Sequence, residues 1–306
     1  MNVVIDYLTM TSKVQDERAF LQDLGLMDCN FVEMAGRFGW TTRLYYRGVS
    51  VYFGGSRDDV CLEVSGTGCR TVEELSGNTF DWFSFLSGFE PEIRAGEANV
   101  SRLDIAGDDR DGLLNFRRMI PHCKHRRYIC KARWRIWIDG DEQAIYFGSP
   151  KSDRRLRIYN KALEQGLDGH WLRCEMQMRN DNAVSFLLNW FRAKDIGKCY
   201  GGVLLDFLRF TRTSPEQHNH QRCQVMPWWT QFVGEVMRCP QLYVNGGDWG
   251  LWDVQNFLER QAASSLRLWL EANNGDLTDI VEMIEGARLN RRQQMLLDRI
   301  REDGKA

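Results

Sequence analysis

The sequence predicts an α+β fold: a mainly antiparallel central β-sheet flanked by helices, with a helical C-terminal region. Three observations point there. Segments that alternate apolar and polar residues interleave with helical periodicity over the first two thirds of the chain. Glycine-containing breaks at Gly48 and at Asp139-Gly140 join neighbouring β-rich runs as hairpins. After Pro227 helical patterns dominate, including 277–284 and 291–300 around a glycine-containing connection.

Taken in order, residues 3–9 read as a strand and 17–26 as a helix. Residues 41–53 are rich in β-formers and fold back at Gly48. Residues 59–65 form a strand ending in a glycine-containing turn at 66–68, and 71–75 and 81–86 read as short helices. A strand at 100–106 precedes a helix at 112–120. Residues 128–138 read as one long strand that returns through 142–148. Two more strands follow at 155–161 and 171–179, then helices at about 183–192 and 200–210. Residues 1–243 form the predicted main domain and 244–306 the helical C-terminal region. The most polar loop is 217–224, and 244–248 is the expected junction.

Composition excludes several classes. With 43% hydrophobic and 27% charged residues the chain is neither disordered nor a small disulfide scaffold. The net charge of −2 hides an asymmetry: residues 102–179 carry 17 basic and 11 acidic side chains, a net of +6, and the remainder carries −8. Such local excess points to a polyanion better than the global figure does. The nine cysteines form no CxxC pair, so reduced thiols and a cytoplasmic location are expected. The N-terminus carries no secretory leader pattern and no apolar run reaches membrane-spanning length, so no membrane partner is expected.

The central strands share a polar face. Alternate residues of a strand project to one side. In 155–161 that side holds Arg155, Arg157, Tyr159 and Lys161; in 171–179 it holds Arg173, Glu175, Gln177 and Arg179; in 102–106 it holds Arg102, Asp104 and Ala106. Lys131, Arg133 and Arg135 form a fourth row that carries basic residues. A plain solvated face would look similar. Two features argue for chemistry instead. Arg157 and Lys161 flank Tyr159 at i−2 and i+2, which is expected to lower its phenol pKa and to hold a phosphate beside it. The few acids on this basic surface, Asp104 and Glu175, suit a hard divalent cation that shares its ligands with phosphate oxygens. A tyrosine nucleophile, metal carboxylates and basic strands together indicate phosphoryl transfer on a nucleic-acid backbone.

Several runs carry a resemblance: IDYLTMTS (5–12), VSGTGCR (64–70), SRLDIAGDD (101–109), YFGSPKSDRRLRIYNKALEQG (146–166), HWLRCEMQMR (170–179) and PWW (227–229). In this order, over about three quarters of the chain, they resemble the Rep_trans-type rolling-circle replication initiators of plasmids and filamentous phages, which are related to relaxases. The resemblance implies a replication-initiator/relaxase-like nicking domain over residues 1–243 and a site-specific single-strand endonuclease and strand transferase. It further implies a 5′-phosphotyrosine link at the origin and a 3′-OH primer. The nucleophile carries onto Tyr159, with Arg157 and Lys161 on the scissile phosphate. Asp104 and Glu175, and less centrally Glu142, would hold Mg²⁺ or Mn²⁺. Arg155, Arg173, Lys131, Arg133 and Arg135 are expected to bind DNA. Double-strand origin DNA and single-stranded DNA are the expected partners, with a host helicase and a second copy of the chain as further candidates. The phage branch is favoured over the plasmid branch. A conjugative-element relaxase with the same chemistry and a non-catalytic origin-binding protein are the alternatives.

Other motifs are weaker. His218-Asn219-His220 reads as surface loop rather than metal ligand, and Gly66-Thr67-Gly68, without a following Lys-Ser/Thr, reads as a tight turn that lets the backbone pass closely. Tyr146 is the main rival nucleophile, because it shares a strand face with Glu142.

Overall fold

The computed structural model describes residues 2–139, 142–213, 223–238 and 263–287, with single positions at 258, 289, 294, 297, 298, 300 and 301. The chain divides into two compact units, Met1–Ser76 with Phe80–Tyr243, and Gly77–Thr79 with Val244–Ala306.

The first unit is built on a ten-stranded, wholly antiparallel sheet. Its strands are β1 (Asn2–Ser12), β2 (Val32–Ala35), β3 (Thr42–Tyr46), β4 (Val49–Phe53), β5 (Val60–Val64), β6 (Ala98–Asp109), β8 (Trp134–Asp139), β9 (Glu142–Phe147), β10 (Arg154–Asn160) and β11 (Leu172–Arg179). Their order is β2-β3-β4-β5-β1-β6-β11-β10-β9-β8. The long strands β1 and β6 pair at the centre, with β11 and β10 beside them. A second, two-stranded sheet pairs β7 (Tyr128–Ile129) with β12 (Arg209–Phe210).

One face of the large sheet is apolar. Ile5, Leu8, Met10, Leu62, Leu103, Ile105, Ile145, Leu156, Ile158, Cys174 and Met176 are buried in one core beneath the helices. Those helices include α1 (Glu17–Asp23), α2 (Gly66–Leu75), α3 (Trp82–Gly88), α4 (Glu90–Ala95), α5 (Phe116–Lys124), α7 (Asp181–Ala193), α8 (Ile196–Phe207) and α9 (Pro227–Arg238), and α6 (Lys161–Glu164) is a single turn closing β10. Asp16, Ser65, Asp81, Asn115, Asn160 and Asp195 cap their helices by accepting backbone N–H bonds, which offsets the unpaired donors of the first turn. The opposite face carries the polar rows and is where the site lies.

The structure departs from the expectations in three places. The run 128–138 is not one strand: Tyr128 and Ile129 pair with β12, and the chain then switches to pair Trp134–Asp139 with β9. Its alternation survives the switch because Cys130 and Ala132 still pack on the core. Residues 66–68 open α2 rather than a turn, although the predicted close approach is real. A Cβ on Gly68 would fall 2.3 Å from the Gly48 carbonyl oxygen, backbone that cannot yield like a flexible side chain. Gly68→Ala is therefore expected to lower stability by about 1–3 kcal/mol in urea denaturation. Strand β2 and helix α4 escaped the sequence reading; all four β2 residues are exposed, which leaves no burial pattern to read.

The second unit contains α10 (Ala263–Ala272) and α11 (Thr278–Gly286), the latter covering the helix predicted near 277–284. The polar loop at 217–224 lies mostly outside the described residues, as does the predicted helix at 291–300. The junction at 244–248 and His218-Asn219-His220 lie wholly outside them.

Candidate active site on the polar face of the sheet

Backbone register places the polar side chains in rows across the strands. Trp137, Ala144, Tyr159, Arg173 and Asp108 occupy one row, from β8 to β6. The next row holds Arg135, Tyr146, Arg157, Glu175 and Ala106, and a third brings Arg155, Gln177 and Asp104 together. Tyr159 thus sits on the third strand from the β8 edge, between Ala144 and Arg173, in a register that sequence alternation alone could not supply.

Tyr159 is buried, and its ring lines a cleft of about 300 Å³ with Trp137, Tyr146 and Arg157. The Arg157 guanidinium lies 3.6 Å from the Tyr159 ring centroid and the Lys161 ammonium 5.7 Å from it. Both cations therefore cover the ring face. The phenol pKa is raised, first by burial and then by the negative charge of Glu175, with Arg173 opposing. This corrects the expectation of a lowered phenol pKa: desolvation outweighs two cations that meet the π-face. Lys161 stands in the first turn of α6 and pairs with Glu164, which also lies 3.6 Å from Arg157.

Acids are more numerous here than the sequence reading allowed. Asp104 is buried and accepts from Arg102 Nε at 3.0 Å, yet burial still raises its pKa. The Glu175 pKa is pushed up to about 7 by burial and by the carboxylates of Asp6 and Asp104, against Arg157 and Arg173. Asp6 was missed. It lies in the first quoted motif, at the irregularity in the β1–β6 pairing between Ile5 and Tyr7, and an acid interrupting the apolar run 3–8 was the available signal.

Carboxylates are the donor type a hard divalent cation takes, and Glu175 feels the negative charge of both Asp6 and Asp104. Among the described residues no three such side chains are already gathered as a ligand cluster. Glu142 opens β9 opposite Asp139, four positions before Tyr146 in the row of Glu175 and with β10 between the two strands; its side chain lies outside the described residues.

The basic residues divide into three groups by burial. Arg173 is buried, and its Nε and Nη2 donate to Asp108 at 2.7 and 2.8 Å while Nη1 donates to Asp6 at 2.6 Å. The expectation of a DNA contact is corrected here: this guanidinium ties β11 to β6 and β1 from within. Arg155 and Arg157 are half-buried and stack on Tyr146 at 4.6 and 6.0 Å, and the Nε–H of each is buried without an acceptor. Lys131, Arg133 and Arg135 are exposed, the first two in the irregular segment before β8 and the third on it.

The comparisons with known proteins follow this geometry. The family model for the replication initiation factor (Rep_trans) matches residues 98–284, more than half of the chain. The chain belongs to that family. Residues 2–88 match a second model, the rolling circle replication initiation protein N-terminal domain, so the two together cover the whole polar face. NicK of Bacillus subtilis (strain 168), assigned as a DNA relaxase, is 25% identical over 319 residues, covering 96% of this chain and 88% of NicK. A rolling circle replication initiator protein from Geobacillus stearothermophilus has the same fold. Its TM-score is 0.66 at 24% identity, over 78% of this chain and 97% of that one. The protein is a rolling-circle replication initiator, as the quoted motifs implied. Among its described residues no helix is long and apolar enough to cross a membrane.

Proposed function

We propose that this initiator nicks one strand of its origin with Tyr159 as nucleophile, within a catalytic domain spanning residues 1–243. The observation that carries the reading is Tyr159 on the polar face, lining the cleft with Arg157 stacked on its ring. In the proposed step Tyr159 Oη forms a bond to the scissile phosphorus and the bond to the 3′-oxygen breaks. The phenolic proton leaves Oη and the 3′-oxygen gains one, giving a 5′-phosphotyrosine and a free 3′-OH. Arg157 and Arg155, both half-buried, bring guanidinium charge to the phosphate oxygens, and Lys161 adds positive charge beside them. Lys131, Arg133 and Arg135 extend this basic surface along the DNA.

Asp104 and Glu175, with Asp6 beside them, would hold Mg²⁺ or Mn²⁺. The ion would supply positive charge that offsets the carboxylates and polarises the phosphodiester. The protein's own contribution is to keep Asp104 oriented through Arg102 and to exclude bulk water from the Tyr159 ring.

The test is incubation of supercoiled DNA carrying the element's own origin with Mg²⁺ or Mn²⁺, followed by a denaturing gel. We expect nicked DNA with protein on the 5′ end, loss of nicking in EDTA, and recovery when either ion is restored. A nick that leaves a free 5′ phosphate would replace the reading with hydrolysis. Binding without any cut would replace it with a non-catalytic origin binder.

A further inference from the structure

The cleft beside Tyr159 has a shape and lining that phosphate chemistry does not need. Two aromatic side chains, Trp137 and Tyr159, stand in one row with only the methyl group of Ala144 between them. Two strand spacings separate their backbones, roughly 10 Å; Arg157 covers the buried Tyr159 ring, and Trp137 is the exposed aromatic of the pair. Tyr146 closes one side in the neighbouring row, and the whole volume is about 300 Å³. Trp137 is 45% exposed, a large apolar surface left at the mouth of the cleft.

Two amides, Gln143 and Asn160, line it as well, together with the ion-paired Arg157 and Glu164. Asn160 accepts the Leu163 N–H through Oδ1 as the cap of α6, which fixes the side chain and leaves Nδ2 as its donor. Gln143 brings both a donor and an acceptor. A flat, exposed indole beside a cleft with amides at its edge matches one ligand chemistry: a planar heterocycle read at its hydrogen-bonding edge.

We infer that this cleft takes a single unpaired nucleobase, that of a nucleotide adjoining the scissile phosphate. The inference rests on Tyr159 as the reacting residue, because that fixes the cleft next to the cut. Stacking against Trp137 holds the base, and Gln143 and Asn160 read its edge. The enzyme thereby anchors the strand in register with the nucleophile, so that the position of the cut is set by a base and not only by backbone contacts.

The probe is a single-stranded oligonucleotide of the nicked origin strand, with one abasic site moved through the positions around the nick. Affinity is read by fluorescence anisotropy in EDTA, where no cut occurs. At one of the two positions adjoining the cut, loss of the base is expected to weaken wild-type binding about tenfold. In Trp137→Ala the same abasic site should cost less than about twofold, because the stacking partner is already gone. Trp137→Phe should restore most of the discrimination. A flat walk at both positions, or an abasic cost undiminished in Trp137→Ala, would overturn the inference. Adduct formation is followed in parallel. If the base effect persists while the adduct maps away from Tyr159, the nicking assignment fails and the pocket stands; if the adduct is on Tyr159 and the walk is flat, the pocket alone fails.

Discussion

Tyr159→Phe is expected to bind the origin strand within about twofold of wild type and to lose covalent adduct by at least a factor of about a thousand. The change removes one oxygen and keeps the ring that Arg157 covers at 3.6 Å, so the cleft and the stacked cation remain. A buried hydroxyl contributes roughly 1 kcal/mol at most, which leaves folding nearly unaffected. Tyr146→Phe is the matched control. Tyr146 lies in the neighbouring row and stacks with Arg155 and Arg157, so its hydroxyl is dispensable for the proposed bond. Adduct yield on a 5′-labelled oligonucleotide checks both. Full activity in Tyr159→Phe would remove the tyrosine from the reaction.

The second large effect concerns the fold. Arg173→Met should destabilise the first unit by about 3–5 kcal/mol, read as a lower midpoint in urea with little change in slope. Removing this guanidinium leaves Asp108 and Asp6 without their partner on a sheet where both face little water. Arg173→Lys should fall between the two, because an ammonium keeps the charge and loses the fork that reaches both strands. If Arg173 acted mainly on DNA, Arg173→Met would weaken binding and leave the midpoint in place.

These predictions separate what the sequence could show from what it could not. Alternation alone assigned Arg155, Arg157 and Tyr159 to one face and Leu156 and Ile158 to the other, and the structure agrees. The period of two is dictated by backbone geometry, so it survives in any strand. The apolar rows of β6 and β11 were legible for the same reason. Burial on the polar side was not. Nothing in the residue order says that Arg173 is enclosed by Asp108 and Asp6 whereas Arg135 is exposed, because that depends on which strands lie beside β11 and β8. The raised phenol pKa of Tyr159 has the same origin: sequence shows the flanking cations and hides the desolvation. Asp6 was hidden by a register irregularity, and the break between β7 and β8 by a change of partner that leaves the hydrophobic pattern intact.

The most direct test of the central claim is to identify the residue that carries DNA after the nick. Trypsin cuts after Arg157 and Lys161, so Tyr159 falls in the peptide 158–161, whereas Tyr146 falls in 136–151. Adduct formed on origin DNA, trimmed with nuclease and digested, should give a nucleotide mass on peptide 158–161. The same mass on 136–151, or on any other peptide, would contradict Tyr159 as the nucleophile.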